Sequence, residues 1–310
     1  MGDETKVIET LGGPFPVLPT PMREDQSVDL EGLGAVIDRV LACGVRGLTL
    51  LGSSAEATYL SREERDRVLR HAIERVNGRA TVIAGVIQFG TREAVEEGKR
   101  FRDLGADALM VALPQYFATP FATIVAHYAA IRRATETPVL YYHFPMTTHL
   151  NLTPEQVARL FAEVDLCGIK NSSLDTQNTL AQIALIQRPI RMFTGHSFDF
   201  LNVLDGGGSG SICPLAALMP RTALALHAAH ARGDRAAAEA AQKHFFDGLA
   251  ILLPEKTATG EAWGTPHGGV KAALAALGII GSGRMRDPQP MPSETKRREI
   301  ADIAAKVSEL

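Results

Sequence analysis

Four short segments of this chain carry side chains able to do covalent chemistry on a carbonyl compound, and each closes an apolar run: Gly52-Ser53-Ser54-Ala55-Glu56, Tyr141-Tyr142-His143-Phe144-Pro145, Gly168-Ile169-Lys170 and Gly195-His196-Ser197. Lys170 is the most informative. Its approach, Cys167-Gly168-Ile169, is apolar, so a strand here would carry the amine into an interior where burial disfavours an ammonium ion. An uncharged lysine amine is a nucleophile and condenses with a ketone or aldehyde to a Schiff base. Position alone also fits a strand-end lysine that snorkels to solvent or pairs with a carboxylate. Tyr142, 28 residues earlier, would aim a phenol at the same place, where it can shuttle protons beside an imine; a packed tyrosine with a satisfied hydroxyl carries the same signature. The Gly52 to Glu56 segment offers two hydroxyls and successive N–H groups in a turn, a receptor for a carboxylate or an ordinary connecting loop.

The elements that must position these groups are readable from period. A polar N-cap, an amphipathic helix, a Gly or Pro break and a short apolar run without strict alternation recur along the chain, which is a βα repeat. The apolar runs are Phe15 to Leu18, Gly47 to Leu51, Thr81 to Val86, Ala108 to Leu113, Pro138 to Tyr142, Leu166 to Lys170, Ile190 to Thr194 and Gly210 to Ile212. Ser61-Arg62-Glu63-Glu64 and Thr153-Pro154-Glu155-Gln156 spell capping boxes, and Gly44, Gly78 and Gly105 fall where helices end. After the first run stands Pro19-Thr20-Pro21-Met22 rather than the G-x-G-x-x-G of a dinucleotide-binding sheet. The expectation is therefore an α/β fold, a (β/α)8 TIM barrel over residues 1–233, followed by a helical appendix without strands over 234–310. In such a barrel the reactive groups sit at the C-terminal ends of the strands.

Composition narrows the partners. The 310 residues include 32 Lys+Arg against 35 Asp+Glu, a net charge of −3 with no basic block, so a nucleic-acid surface is not expected. Cys43, Cys167 and Cys213 stand far apart, which points to neither a disulfide framework nor a zinc site and suits a reducing cytoplasm. The first ten residues lack a basic segment followed by an apolar one, and Ala272 to Ile280 is far short of the ~20 residues that span a bilayer, so no membrane partner is expected. His227 and His230 lack an acidic companion in the pattern, and no metal is assigned.

Together these segments resemble the dihydrodipicolinate synthase and N-acetylneuraminate lyase family of class I aldolases, over nearly the whole chain. Gly52-Ser53-Ser54-Ala55-Glu56 is similar to the family's G-[TS]-T-G-E, Tyr142-His143-Phe144-Pro145 to its Y-N-x-P and Gly168-Ile169-Lys170 to its G-x-K, while Leu113-Pro114-Gln115-Tyr116-Phe117 occupies the place of its P-Y-Y segment and Val270-Lys271-Ala272-Ala273 resembles its tail helix. The resemblance implies that Lys170 forms the imine with pyruvate or another 2-oxo acid and that Tyr142 transfers protons. It implies a relay through Ser53 and through Tyr116 from a partner subunit, with Gly52 and Ser54 holding the carboxylate. Neither metal nor other cofactor is then required, and a homodimer or a homotetramer of two such dimers is expected.

The departures concern the second half of the substrate. The synthases continue their Y-N-x-P with Ser-Arg, and that arginine grips an aldehyde's carboxylate; Met146 and Thr147 stand there, and a neutral threonine cannot make a bidentate clamp. Gly195-His196-Ser197 replaces the family's acidic residues after strand seven, and His143 replaces its asparagine. His143, Thr147, Thr148, Gly195, His196, Ser197, Ser211 and Cys213 are thus expected to line the substrate pocket with neutral groups. The expected activity is a Schiff-base lyase, aldolase or dehydratase, on a 2-keto-3-deoxy sugar acid or similar hydroxylated or aromatic aldol. Dihydrodipicolinate synthase is the alternative enzyme, and a non-catalytic 2-oxo acid sensor on the same barrel is the alternative of another class.

Overall fold

The computed structural model describes residues 2–256, 262–263 and 265–309. The apolar runs supply eight parallel strands: β1 (Gly13–Pro14), β2 (Gly47–Leu50), β3 (Thr81–Ile87), β4 (Ala108–Ala112), β5 (Val139–His143), β6 (Gly168–Asn171), β7 (Arg191–Thr194) and β8 (Gly210–Ser211). Sequence neighbours pair from β2 through β8, and β8 pairs with β1. The last seam closes through a bridge between Val17 and Thr49, which makes a (β/α)8 barrel. The first ladder is shorter and earlier than the expected Phe15 to Leu18, and proline explains it. Gly13, Phe15 and Val17 donate to the carbonyls of Ser209, Ser211 and Cys213 at 2.8, 2.7 and 3.2 Å. On the opposite edge Pro14 and Pro16 have no N–H to give. The seam there rests on Leu18 N–H to the Thr49 carbonyl at 3.0 Å and Thr49 N–H to the Pro16 carbonyl at 2.9 Å.

A helix α1 (Gly2–Thr10) precedes the barrel, and α2 (Leu30–Ala42), α3 (Arg62–Val76), α4 (Thr91–Asp103), α5 (Phe121–Thr135), the one-turn α6 (Pro145–Thr148), α7 (Pro154–Glu163), α8 (Thr176–Leu185), α9 (Phe200–Asp205) and α10 (Pro220–Ala231) follow in order. Both capping boxes form: Ser61 caps α3 and Thr153 caps α7, each reciprocated by the side chain three residues on. Helix α1, which the pattern did not announce, closes the N-terminal end of the barrel. Arg191 Nε donates to the Ile8 carbonyl at 3.1 Å, and Leu11 is buried among Phe15, Leu140 and Phe193.

Register fixes what each strand residue faces. Tyr142, Lys170, Phe193 and Gly210 lie side by side across β5 to β8, and so do His143, Asn171, Thr194 and Ser211 one step on. In-register neighbours share a face, and alternate residues take opposite faces. The first row belongs to the interior cluster with Tyr142, Phe193 and Ile212. The second faces the helices: Asn171 Nδ2 donates to Gln182 of α8 at 3.0 Å.

Beyond Gly233 the chain forms α11 (Arg235–Gly248), α12 (Pro266–Ala276) and α13 (Glu294–Val307). The expectation of a strand-free tail is corrected: Glu255–Lys256 and Ala262–Trp263 pair antiparallel. Two residues per strand are too few to produce a period that a sequence reading could detect. Among the described residues no helix is long and apolar enough to cross a membrane.

Candidate active site

At the C-terminal end of the barrel, β6 delivers Lys170 and β5 delivers Tyr142 in register. Both are nearly sealed from solvent, 3% and 4% exposed. The Lys170 Nζ lies 4.2 Å from the centroid of the Tyr142 ring, and the Tyr142 hydroxyl lies 3.5 Å from Ser53 Oγ. Phe144, two residues along, stacks on Tyr142 with centroids 5.6 Å apart and planes 17° from parallel. The amine, the phenol and the hydroxyl that the sequence singled out therefore come together, although Ser53 and Lys170 stand on nearly opposite parts of the chain.

The Gly52 to Glu56 turn is built by backbone geometry. Leu51 and Glu56 flank it with φ of +56° and +58°, and Ala55 and Glu56 N–H return to the Gly52 and Ser53 carbonyls at 3.0 and 3.1 Å. Residue 85 on β3 must be glycine for this turn to fit, because a Cβ there would sit 2.2 Å from the Leu51 carbonyl oxygen. Thr20, from the segment after β1, donates its hydroxyl to the Ala55 carbonyl at 2.7 Å. Ser53 and Ser54 stay half-buried while Gly52 is buried.

After β7, Gly195 is pressed so tightly that a Cβ would fall 1.9 Å from Ser172 Oγ. His196 follows, with its ring stacked on Phe198 at 4.9 Å and its buried Nε2 without a protein partner. Burial lowers its pKa first and the Lys170 charge adds to that, against a hydrogen bond with the Ser172 backbone and the Asp199 charge. The imidazole is a neutral group near the amine.

Other expected pocket residues lie elsewhere. His143 faces the helices: Tyr141 and His143 hydrogen-bond Oη to Nδ1 at 2.9 Å, and burial pushes the imidazole pKa down to about 4. Ser211 shares that helix-side row, and Cys213 packs with Leu215 and Ala216 behind the strands, its thiol pKa raised by burial; Ile212 between them faces inward. Placing His143, Ser211 and Cys213 against substrate is therefore corrected by the two-residue alternation of β5 and of the β8 segment. Thr148 donates its hydroxyl to the Phe144 carbonyl at 2.9 Å, which fastens α6. Ser197 is buried with its hydroxyl unpartnered. Thr147 is exposed on α6 beside Met146. Tyr116 and Phe117 stand out from the surface, 82% and 79% exposed and in edge contact at 4.9 Å, so Tyr116 does not join Lys170 within one chain. Among the described residues no three His, Cys, Asp or Glu side chains gather as a metal site would require.

Two charged residues quoted in the sequence motifs were given no role there. Glu56 at the end of the serine turn is fully buried and pairs with Lys271 of α12 at 2.7 Å. Burial lowers the Lys271 pKa and the Glu56 charge opposes that. The available signal was one lysine in an otherwise apolar helix, Gly-Gly-Val-Lys-Ala-Ala-Leu-Ala-Ala, since lysine is almost never fully buried unless paired.

Comparison with known proteins agrees with this geometry. A profile described as the dihydrodipicolinate synthetase family matches residues 10–307. A 4-hydroxy-tetrahydrodipicolinate synthase of Anaeromyxobacter sp. (strain K) is 36% identical over 296 residues, covering 94% of this chain and 96% of that protein. The chloride-inhibited dihydrodipicolinate synthase of Acinetobacter baumannii, solved with pyruvate, superposes with a TM-score of 0.88 at 27% identity over 96% of this chain and 99% of its own. A catalytic-lysine mutant of the sialic acid aldolase of Ruminococcus gnavus shares the fold, with a TM-score of 0.86 at 23% identity over 96% and 97% of the two chains.

Proposed function

Because this chain belongs to the dihydrodipicolinate synthetase family and is a class I, Schiff-base-forming and pyruvate-dependent lyase, we propose that it makes or breaks a bond of a 2-oxo acid whose other half carries no charge. Lys170 adds through its amine to the C2 carbonyl, and water leaves as the imine forms. The protonated imine then accepts the electron pair of the C3–C4 bond while the C4 hydroxyl gives up its proton, which releases an aldehyde and leaves an enamine. Protonation at C3 and hydrolysis free pyruvate and restore the amine. Loss of a C4 hydroxyl as water after C3 deprotonation uses the same electron sink. Tyr142 moves the protons at the substrate oxygen, relayed by Ser53 and by Tyr116 of the partner subunit, and Gly52 and Ser54 receive the carboxylate.

The observation that carries this reading is the Lys170, Tyr142 and Ser53 cluster, with aromatic and uncharged groups beside it. Phe144 stacks on Tyr142, Ile212 shares its apolar cluster, and the His196 ring, stacked on Phe198, feels the Lys170 charge; by the resemblance of the Tyr142-His143-Phe144-Pro145 motif, Thr147 takes the place of the synthases' arginine. With His143, Ser211 and Cys213 turned away, this setting is more aromatic than the sequence suggested. A 2-keto-3-deoxy sugar acid or an aromatic aldol satisfies it, since each releases an uncharged aldehyde. The catalytic groups all lie within residues 1–233, with 234–310 bracing them. Exposed Tyr116 and Phe117 support a dimer or a tetramer of dimers, and the widely spaced free cysteines support a cytoplasmic location.

Borohydride added with pyruvate should leave a reduced adduct on Lys170, seen by peptide mass spectrometry and absent from Lys170→Ala. An adduct on a different lysine would remove the mechanism. In turnover, the 2-keto-3-deoxy acids should exceed aspartate semialdehyde plus pyruvate by at least tenfold in kcat/KM, about 1.4 kcal/mol. The second reading, dihydrodipicolinate synthase, is favoured by the name of the 36% identical relative, and efficient product formation in a coupled reductase assay would put it first. Adduct formation with no turnover of any panel member would favour the sensor. A fully active monomer by light scattering would end the shared-site reading of Tyr116.

A further inference from the structure

The serine turn is tied to the C-terminal tail through the buried Glu56 carboxylate. Glu56 closes the turn in a left-handed conformation, φ +58°, which a side chain other than glycine adopts only when its surroundings hold it. Its carboxylate is occupied on both oxygens by the tail: Oε1 accepts from Lys271 Nζ at 2.7 Å and Oε2 from the Arg286 N–H at 2.8 Å. The Arg286 guanidinium then grips Glu64 at the start of α3 at 2.7 Å and the Gln26 carbonyl at 2.9 Å. A buried ion pair adds little net stability over apolar side chains of the same volume. What it supplies is a fixed position, here two residues from Ser54 and three from Ser53, whose carbonyl accepts from Glu56 N–H.

We propose that Glu56 and Lys271 are positioning residues for 2-oxo acid binding: the tail helix, through Lys271, sets the Ser53-Ser54 turn in the geometry that receives the substrate carboxylate. This rests on the reading of that turn as the carboxylate receptor. The pair touches neither the amine nor the phenol, so its loss weakens capture of the 2-oxo acid and leaves imine formation intact. The tail thereby acts in substrate recognition from more than 200 residues along the chain.

The test titrates pyruvate against the borohydride adduct on Lys170. In Glu56→Gln/Lys271→Met no charge is left unpaired in the interior, Gln keeps an acceptor for the Arg286 N–H, and Met fills most of the lysine stem. The expected result is a half-saturating pyruvate concentration raised at least tenfold with an unchanged adduct plateau. Acetone, which has the ketone but no carboxylate, should titrate alike in parent and variant. Unchanged pyruvate titration, a plateau that falls with it, or equal weakening for acetone overturns the inference. Should the double variant not fold, Lys271→Arg decides: a threefold or larger rise supports the inference and no rise overturns it. Absence of any adduct in the parent protein overturns the proposed function and this inference together, whereas a normal parent with a normal variant removes only the inference.

Discussion

The two faces of β5 hold nearly the same chemistry in opposite settings. Inward, Tyr142 lies against the Lys170 amine, 3.5 Å from the Ser53 hydroxyl, with Phe144 stacked on it. Outward, Tyr141 and His143 hydrogen-bond to each other, and Tyr141 meets Tyr128 of α5 edge-on with centroids 5.4 Å apart. Burial alone raises the Tyr141 pKa, so that phenol stays a hydrogen-bonding packing element. The lesson is that a phenol acquires a chemical task from what it faces, since adjacent residues of one strand differ by half a turn of the backbone and by the whole thickness of the sheet.

The sharpest way to break this comparison is substitution of each tyrosine in turn. If Tyr142 transfers protons, Tyr142→Phe lowers kcat by roughly 10²–10⁴ while borohydride trapping at Lys170 persists. Tyr141→Phe should keep kcat within about threefold of the parent, a factor worth about 0.6 kcal/mol. Equal losses in the two variants would erase the distinction between the faces.

Acid should strike the helix side. His127 and His143 have pKa values lowered to about 4 and His267 to about 3, all by burial first. In the unfolded chain each takes up a proton near pH 6.5. The unfolded state thus binds more protons below that pH, so stability is fully present above about 6.5 and falls as the pH drops toward 4. Three such groups give a slope of up to about 4 kcal/mol per pH unit, which urea melts between pH 7 and 5 would measure. A flat profile would mean that these rings are protonated in the fold.

A smaller effect separates packing from catalysis on the outward face. Tyr141→Phe leaves His143 Nδ1 buried without its partner, at a cost of about 1–3 kcal/mol, seen as a lower denaturation midpoint with unchanged activity. Full stability would show that the Tyr141 hydroxyl is dispensable. The smallest expected change lies at the rim, where Thr147→Arg should shift selectivity toward aspartate semialdehyde by about tenfold in kcat/KM, or about 1.4 kcal/mol. No shift would place the second-substrate pocket away from α6.

Much of this was legible before any fold was known. Apolar runs between capped helices announced eight strands, and the residues that close those runs included Lys170, Tyr142 and Ser53. His143 could have been placed as well, because period two sends it opposite to Tyr142. Ser211 and Cys213 could not: Gly210-Ser211-Ile212-Cys213 has no pattern that says which parity faces inward, and only pairing with β7 and β1 decides it. Helix α1 was hidden because its charged sequence has little apolar stripe, and its role comes from Leu11 and the Ile8 carbonyl at the barrel floor.

Local composition and period thus determined the repeat and the barrel, because hydrogen-bonding period and capping are properties of neighbouring residues, while motif resemblance singled out the candidate reactive groups. The three-dimensional fold alone decided which polar groups meet. The Glu56 and Lys271 charges, 215 residues apart, are each anomalous in their own segments and become intelligible only together. Closing the barrel and docking α12 removes both from water at one point, where neither could be buried without the other.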